Sequence, residues 1–225
     1  MKEIVFQREN WGDPADWPAE WIHVEYDSFP RYAPIIAARV YPSTVNEASR
    51  RSSRTRTAQL TGDALLDLLT GSFAVQEVEG TEHASRRSYP SAGARFPTEI
   101  YVRARGISGL ENGLYHYSQP VRCLRRVPEG DEEAFAGAFG HDWIIEAQAC
   151  IFFASKLERS GVKYGARAFR FACIEAGHAA QNVQLVAAEL SLATCPVGGF
   201  CDALLEEYLN LDESGEVPLY TVILP

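Results

Sequence analysis

The sequence predicts one domain of the mixed α/β or α+β class, preceded by an irregular arm. Its 225 residues are 46% hydrophobic, which is enough to bury a full-sized core. Strand-like and helix-like segments alternate along the chain, but without the strict βαβ rhythm of a parallel sheet. Residues 1–46, with the Trp- and Pro-rich run WGDPADWPAEW, are predicted to form an arm that packs on a body made of residues 47–225.

The individual elements follow from hydrophobic periodicity and from turn residues. A stripe of leucines predicts a helix over residues 62–72, and the compact apolar run ACIFFAS predicts a buried strand over 149–155. Three β-rich stretches with Gly and Asn between them predict an antiparallel meander, over residues 99–107, 114–117 and 123–127. Shorter patterns predict two further helices and a closing strand, over residues 131–139, 203–211 and 217–224.

The longest helical pattern runs from about Lys163 to Leu192 and would span roughly 40 Å. Small and apolar residues occupy almost its whole circumference, so it has no wide polar face. Such a helix is buried, either at the centre of a domain or in a subunit interface.

Charge and cysteine content exclude several classes of protein. The net charge is -9 and no Lys or Arg follows Arg170, so the chain lacks the broad basic face of a nucleic-acid-binding protein. Five cysteines without a CxxC pair fit reduced thiols better than a zinc site or a disulfide framework. No run of about 18 apolar residues could span a bilayer, and the N-terminus lacks the apolar region of a signal peptide. We therefore expect a cytoplasmic protein without bound metal, membrane or nucleic acid.

Residues 49–56, SRRSSRTR, concentrate four arginines among hydroxyl residues in an otherwise acidic chain. Converging guanidinium groups and hydroxyl donors bind phosphate monoesters. From composition alone a solvated basic turn is the more frequent explanation, so a phosphate site here needs support from other segments.

Three other segments could contribute to a ligand site. In RRSYPSAGARFPTEIYV (86–102), small residues after Pro90 permit close approach of the backbone to a flat ligand, although a plain loop before a strand is the alternative. In CPVGGF (195–200), Gly198 and Gly199 could direct a bare N–H at a ligand atom, but such pairs are common in loops. Lys163 and Tyr164 open the predicted long helix, where the helix N-terminus and desolvation would favour loss of a proton; a capping lysine beside a core tyrosine is the alternative.

Two Glu-x-x-His motifs, Glu20–His23 and Glu175–His178, raise the alternative of a carboxylate di-iron site in a helix bundle. The first motif lies in the Trp- and Pro-rich arm, and the predicted strands argue against a bundle. We therefore expect His178, with Gln181 and Asn182, to make buried hydrogen bonds across the helix or at an interface instead.

Taken in chain order, these segments resemble the flavin-dependent nitroreductase superfamily, and within it the SagB-type dehydrogenases. The resemblance covers roughly residues 47–224 and rests on five segments, RRSSR, PSAGARFPTEIYV, GLYHY, KYGARAFRFACIEAGHAAQN and PVGGF. No segment is decisive alone, but their order and spacing together are specific. The resemblance implies an α+β nitroreductase-like fold, with a mixed, mainly antiparallel sheet flanked by helices and a long buried central helix at a homodimer interface.

The resemblance also implies an FMN site. The phosphate and ribityl chain of FMN would be held by Arg50, Arg51, Ser52 and Arg54. The loop against the isoalloxazine ring, commonly supplied by the partner subunit, would be Pro90, Ser91, Ala92 and Gly93. Backbone amides near flavin N5 and O4 would come from Gly198 and Gly199. Many nitroreductases place a basic residue near the C-terminus against the phosphate, and here none follows Arg170.

SagB-type enzymes include the azoline dehydrogenases, which oxidise thiazolines and oxazolines of peptides to thiazoles and oxazoles with FMN. In them a Lys–Tyr pair at the head of the central helix is linked to catalysis, which implies Lys163 and Tyr164 as catalytic residues. One of the pair would accept a proton while the flavin accepts a hydride.

Two other functions are compatible with the same residues. One is an NAD(P)H-dependent nitro- or quinone reductase, and the other is a non-catalytic flavin-binding subunit of a biosynthetic complex. For the dehydrogenase the expected partner is a second copy of the chain. Its expected substrate is a peptide or a small molecule, and a peptide would be handed over by a biosynthetic partner protein or held in the dimer groove.

Overall fold

A computed structural model describes residues 50–76, 86–211 and 214–225, in which a six-stranded sheet separates two layers of helices. The helices are α1 (Gly62–Ser72), α2 (Glu132–Phe139), α3 (Asp142–Ile145), α4 (Glu158–Tyr164), α5 (Arg167–Glu189) and α6 (Asp202–Leu209). The strands are β1 (Val75–Gln76), β2 (Arg86–Arg87), β3 (Thr98–Ala104), β4 (Gly113–Ser118), β5 (Cys123–Arg126), β6 (Ala149–Ser155), β7 (Cys195–Val197) and β8 (Val217–Leu224). The predicted arm over residues 1–46 lies outside the described residues.

The large sheet has the strand order β5-β4-β3-β6-β8-β7, and every neighbouring pair is antiparallel. The predicted meander is confirmed as β3, β4 and β5, and the predicted central strand has the bounds of β6. Strands β1 and β2 form a separate antiparallel pair. The fold class is therefore α+β, as the resemblance implies.

Strand β6 explains how one sheet supports two cores. All seven of its residues are buried, and successive side chains of a strand point to opposite faces. Ile151 and Phe153 face the layer that contains α1 and α5. Cys150 and Phe152 face the layer that contains α2, α3 and α6. Both faces of the central sheet are thus covered by helices.

The long helix begins later than its hydrophobic pattern predicts. Helix α4 ends at Tyr164, the chain turns at Gly165 with φ 54° and ψ -138°, and α5 begins at Arg167. A glycine adopts this left-handed φ without a steric penalty, so it can separate two helices that periodicity joins. The prediction of one helix from Lys163 onward is therefore wrong at its start, and Lys163 lies in the last turn of the preceding helix.

Helix α5 has one buried face and one exposed face. The buried face packs against the sheet and α1 through small side chains, which include Ala172, Ala176, Ala179, Ala180 and Val183. The exposed face carries Cys173, Ile174, Gly177, His178 and Gln181. His178 lies on this exposed face of the single chain, so the expectation that it makes buried hydrogen bonds at a subunit interface stays a prediction. No helix of the described segments is both long enough and apolar enough to cross a membrane.

Candidate functional site

Lys163 and Tyr164 lie close to the loop that follows Pro90. A Cβ atom added to Gly93 would lie 2.5 Å from Tyr164 Oη and 3.1 Å from Lys163 Nζ. The Lys163 ammonium lies 5.3 Å from the centroid of the Tyr164 ring, and that ring packs edge-on against Phe171 of α5 at 4.9 Å. Two of the segments that the sequence singles out therefore meet at Gly93. Because the pair ends α4 rather than opening α5, the predicted influence of a helix N-terminus on it is wrong.

The loop at Gly93 has an unusual backbone. Gly93, Ala94 and Phe96 have φ angles of 61°, 52° and 44°, and only glycine adopts this region without strain. Each of the other two residues costs on the order of 1–2 kcal/mol in this conformation, so the surrounding structure must hold the loop. Pro90 is exposed, and Ser91 and Ala92 are half-buried at the start of the loop.

Glu175, on the buried face of α5, holds this loop on its inner side. Its side chain is 2% exposed, and its carboxylate accepts the Thr98 N–H at 3.3 Å. Ser91 Oγ accepts the Phe96 N–H at 2.8 Å, and the Ser91 side chain lies near enough to the same carboxylate to act on its pKa. Burial raises the pKa of Glu175, although Ser91 and Thr98 act in the opposite direction. Since the folded chain then holds the proton more tightly than the unfolded chain, the contribution of Glu175 to stability declines as pH rises through its folded-state pKa.

Sequence reasoning missed this role of Glu175 and considered the residue only as half of a Glu-x-x-His motif. The structure places Glu175 on the buried face of α5 and His178 on the exposed face. Within the described ranges no group of three His, Cys, Asp or Glu side chains could hold a metal ion. The signal that could have found the role is a single carboxylate among the alanines that form the inner face of α5.

A second group of charged residues attaches α4 to the sheet. Arg159, one turn before Lys163, pairs with Glu99 of β3 at 2.5 Å and donates to the Phe96 carbonyl at 3.2 Å. His116 of β4 lies 2.8 Å from the other Glu99 oxygen. Burial alone would raise the pKa of Glu99, but His116 and Arg159 lower it on balance. This ion pair fixes the helix that carries Lys163 against the same loop that Glu175 holds.

The arginine-rich segment lies beside the C-terminal half of α5. Arg50 Nη1 donates to Gln184 Oε1 at 3.1 Å, and the Ser53 N–H donates to the Thr194 carbonyl at 2.8 Å. Ser52 forms an isolated parallel bridge with Thr194, just before β7. These contacts fix the segment next to the start of β7.

The arginines of this segment do not converge. The guanidinium of Arg54 lies over the ring of Trp143 on α3, 5.3 Å from its centroid, whereas Arg50 points to α5. Arg51 is exposed to solvent. Of the three arginines assigned to a phosphate, Arg50 is thus the one that contacts the long helix.

Gly198 and Gly199 follow β7 and are both exposed. A Cβ on Gly198 would lie 3.4 Å from the Tyr220 ring, an ordinary contact, and one on Gly199 would meet no described atom within 4 Å. Packing among the described residues therefore requires neither glycine. Their backbone remains open to an approaching ligand.

The predicted site residues form two groups separated along α5. Glu175 marks the group with Gly93 and Lys163, and Gln184 marks the group with Arg50. The two markers are nine positions apart in the helix, about 14 Å along the axis. Within the described part of the chain no hydrogen bond or ion pair joins the two groups.

Comparison with known proteins agrees with this fold. The protein MJ1384 of Methanocaldococcus jannaschii, which is named for the nitroreductases, is 38% identical over 136 residues, covering 59% of this chain and 68% of that protein. McbC, the microcin B17-processing protein of Escherichia coli, is 28% identical over 142 residues, covering 60% of this chain and 52% of McbC. The chain thus spans about half the length of McbC.

Among solved structures, a chain of the E. coli microcin synthetase McbBCD complex, with truncated pro-MccB17 bound, has a TM-score of 0.65 at 21% identity. The match covers 90% of this chain and 80% of that chain. At this identity the likeness concerns the fold. The nitroreductase family itself matches residues 48–224, nearly the whole of the described region. The chain therefore belongs to the nitroreductase family.

Proposed function

We propose that this protein is an FMN-dependent dehydrogenase that oxidises a thiazoline or oxazoline of a peptide, or of a related metabolite, to the aromatic azole. The observation that carries the proposal is the meeting of Lys163 Nζ and Tyr164 Oη at Gly93. Similarity to McbC, a microcin-processing protein, supports a peptide natural product as substrate. A substrate delivered by a partner protein is supported by the likeness to a chain of a multi-protein synthetase.

The residues present fit FMN in their chemistry. Members of the nitroreductase family generally bind FMN. Arg50 offers a guanidinium group for a phosphate, with Arg51 and the Ser52 hydroxyl next to it in the chain. The exposed backbone of Gly198 and Gly199 can approach a flat ring closely. When bound, FMN supplies a two-electron oxidant that accepts a hydride.

The chain's own part in the reaction is to position the ring and to accept a proton. Aromatising an azoline removes a hydride from one ring carbon and a proton from its neighbour. Lys163 Nζ and Tyr164 Oη are the candidate proton acceptors, since both lie beside the loop assigned to the flavin ring. Phe171 supports the Tyr164 ring, and the Arg159–Glu99 ion pair fixes the helix that carries both residues.

Replacing Lys163 with alanine tests the catalytic assignment. We expect azole formation from a thiazoline-containing peptide to slow by about 100- to 10,000-fold, the usual contribution of a general base, with FMN affinity little changed. Lys156→Ala, which removes the same charge before α4, is the matched control and should keep its turnover. Tyr164→Phe separates the two candidates. Unchanged turnover in both Lys163→Ala and Tyr164→Phe would contradict the assignment.

Replacing single arginines tests the phosphate assignment. We expect Arg50→Ala to weaken FMN binding by about tenfold or more, because a charge-assisted contact with the phosphate is lost. Arg54→Ala should weaken it less, because the Arg54 guanidinium already lies on Trp143. Fluorescence titration of the flavin-free protein measures both. If Arg54→Ala released more FMN than Arg50→Ala, Arg54 would have to leave Trp143 when the flavin binds.

The separation of the two site groups supports a site shared between two copies. The exposed face of α5, with Ile174 50% exposed and Gly177 next to it in space, can pack against its own copy. A two-fold axis near this face would run between Glu175 and Gln184. It would bring the Arg50 group of one copy toward the Gly93 loop of the other. The homodimer is therefore part of the proposal.

Placing a charge at Ile174 tests the shared site. We expect Ile174→Asp to shift the protein from dimer to monomer and to weaken FMN binding at least tenfold, because a buried unpaired carboxylate opposes the interface. Light scattering gives the oligomeric state, and flavin fluorescence gives the affinity. Leu190→Asp, at a 42% exposed site just after α5, is the control. A monomeric variant that binds FMN as the wild type does would place the whole site in one chain.

An NAD(P)H-dependent reductase is the second candidate, favoured by the 38% identity with MJ1384. The two functions differ in their source of electrons. Rapid bleaching of the bound flavin by NADPH, without azole formation from a thiazoline peptide, would favour the reductase. Failure of the full chain to bind FMN at all would exclude both.

A further inference from the structure

The loop of residues 91–98 is held on one side by Arg159 and on the other by Glu175. The contact with Glu175 is the less expected of the two, because a buried carboxylate makes it. On the outer side, Arg159 donates to the Phe96 carbonyl at 3.2 Å. On the inner side, Glu175 contacts both ends of the loop, through the Ser91 hydroxyl and through the Thr98 N–H. One carboxylate thus bridges residues that are seven positions apart.

The contacts form a chain of donors that ends on this carboxylate. The Phe96 N–H donates to Ser91 Oγ at 2.8 Å, and the Ser91 hydroxyl lies beside the Glu175 carboxylate, where it acts to lower the pKa of Glu175. The Thr98 N–H donates to Glu175 Oε1 at 3.3 Å. Between these two attachments lie the left-handed residues Gly93, Ala94 and Phe96. Strained backbone of this kind persists when neighbouring contacts fix it.

Glu175 is also an unusual residue for this place in the fold. It is 2% exposed and is the one charged residue on a buried helix face made otherwise of alanines, Val183 and Gln184, and it has no ion pair within the described residues. A buried carboxylate without an ion pair is costly unless hydrogen bonds offset its desolvation. The groups that offset it most, Ser91 and Thr98, belong to the loop at Gly93, and the charge of Arg87 on β2 adds to them. Glu175 therefore interacts mainly with the loop.

We propose that Glu175 is the positioning residue of the site: it holds the turn at Gly93–Phe96 in the conformation that meets Lys163 and Tyr164. The effect on turnover rests on the proposed function, whereas the effect on loop geometry does not. Within the described residues no hydrogen bond or ion pair joins Glu175 to either member of the Lys–Tyr pair. Glu175 acts through the backbone of the loop, by its bond to the Thr98 N–H.

Two substitutions at Glu175 separate hydrogen bonding from packing. Leucine has a similar size but no acceptor, so Glu175→Leu leaves the Thr98 N–H and the Ser91 hydroxyl without their partner. Glutamine keeps an acceptor for the Thr98 N–H, and its amide nitrogen can donate to the second lone pair of Ser91 Oγ. Glu189→Gln, at the exposed end of α5, is the control for loss of a carboxylate from the same helix.

Amide hydrogen exchange in the full flavin-free chain measures the protection of the loop amides directly. In Glu175→Leu we expect the amides of Phe96 and Thr98 to exchange about tenfold faster or more, while the amides of β6 keep their protection. Glu175→Gln should restore most of the protection. Protection of both amides in a folded Glu175→Leu variant would overturn the proposal, and so would a Gln variant as unprotected as the Leu variant.

Turnover and FMN binding form the second readout. Azole formation should fall about tenfold or more in Glu175→Leu and return to within a few-fold of wild type in Glu175→Gln, because small misplacement of reacting groups is costly. If Glu175→Leu does not fold, Ser91→Ala replaces it: faster exchange at Phe96 but not at Thr98 is the expected result, and no change at Phe96 overturns the proposal. If the wild type binds no FMN, the exchange measurements still decide the role of Glu175, and only the proposed function fails.

Discussion

Replacing Gly93 with alanine is expected to remove at least 99% of azole-forming turnover while leaving the chain folded, since misplacing reacting groups by about 1 Å costs about 100-fold. The new Cβ would lie 2.5 Å from Tyr164 Oη and 3.1 Å from Lys163 Nζ, so the pair must move or the loop must shift. Alanine is also strained at a φ of 61°, by about 1–2 kcal/mol. The measurement is the rate with a thiazoline-containing peptide, beside the free energy of unfolding in urea.

Gly106 provides a matched control for this substitution. Its φ is 63°, close to that of Gly93, but a Cβ added there meets no atom of the described residues within 4 Å. Gly106→Ala should therefore lose a similar amount of stability and keep its turnover. Equal turnover in the two alanine variants would show that the contact with Lys163 and Tyr164 is irrelevant to the reaction.

Replacing Phe152 with alanine is expected to lower the free energy of unfolding by about 3–5 kcal/mol. Phe152 is fully buried in β6 and packs against the rings of Phe135, Phe139 and Tyr208, with centroids 6.4–6.5 Å away. Loss of the ring leaves a cavity that a sheet covered on both faces cannot close by collapsing. Urea unfolding of the flavin-free chain gives the value.

Val121 is the control for this loss of stability. It is 60% exposed between β4 and β5, so Val121→Ala should change the free energy of unfolding by less than about 0.5 kcal/mol. A Phe152→Ala variant within 1 kcal/mol of the wild type would mean that the helices of this layer move in to fill the space, and the core would be less rigid than its packing indicates.

The sheet was predictable from the sequence because its signals are local. The run ACIFFAS is apolar at every position, as expected of a strand buried on both faces, and its bounds are those of β6. The meander was predictable for a similar reason, since the connection between β3 and β4 contains glycine and asparagine and the turn between β4 and β5 contains Pro120. Such features depend on neighbours in sequence rather than on distant contacts.

The break between α4 and α5 could not be read from the same kind of signal. Every residue from Lys163 to Leu192 suits a helix apart from its glycines, and Gly177 lies within α5 while Gly165 ends α4. Which glycine interrupts a helix depends on the tertiary contacts of the residues around it. Here those contacts include the Tyr164–Phe171 ring pair and the attachment of Arg159 to Glu99.

The sequence predicted which segments contribute to the candidate site, but not which of them contact one another in the fold. That the Gly93 loop meets Lys163 and Tyr164 depends on contacts about 70 residues apart in the chain. The same holds for Arg54, which sequence proximity groups with Arg50 but which lies over Trp143 in the fold. Glu175 was missed because its partners, Ser91 and Thr98, belong to a loop nearly 80 residues earlier.

The two edge strands of the large sheet are poorly suited to pair with a strand of another copy of the chain. Strand β5 is one edge and carries exposed Arg125 and Arg126, while β7, the other edge, has three residues that include Pro196. Charges, proline and short length all discourage a foreign strand from adding to an edge. Strand exchange and fibril-like growth through the sheet edges are therefore disfavoured. Two copies of the chain can instead associate through the exposed face of α5.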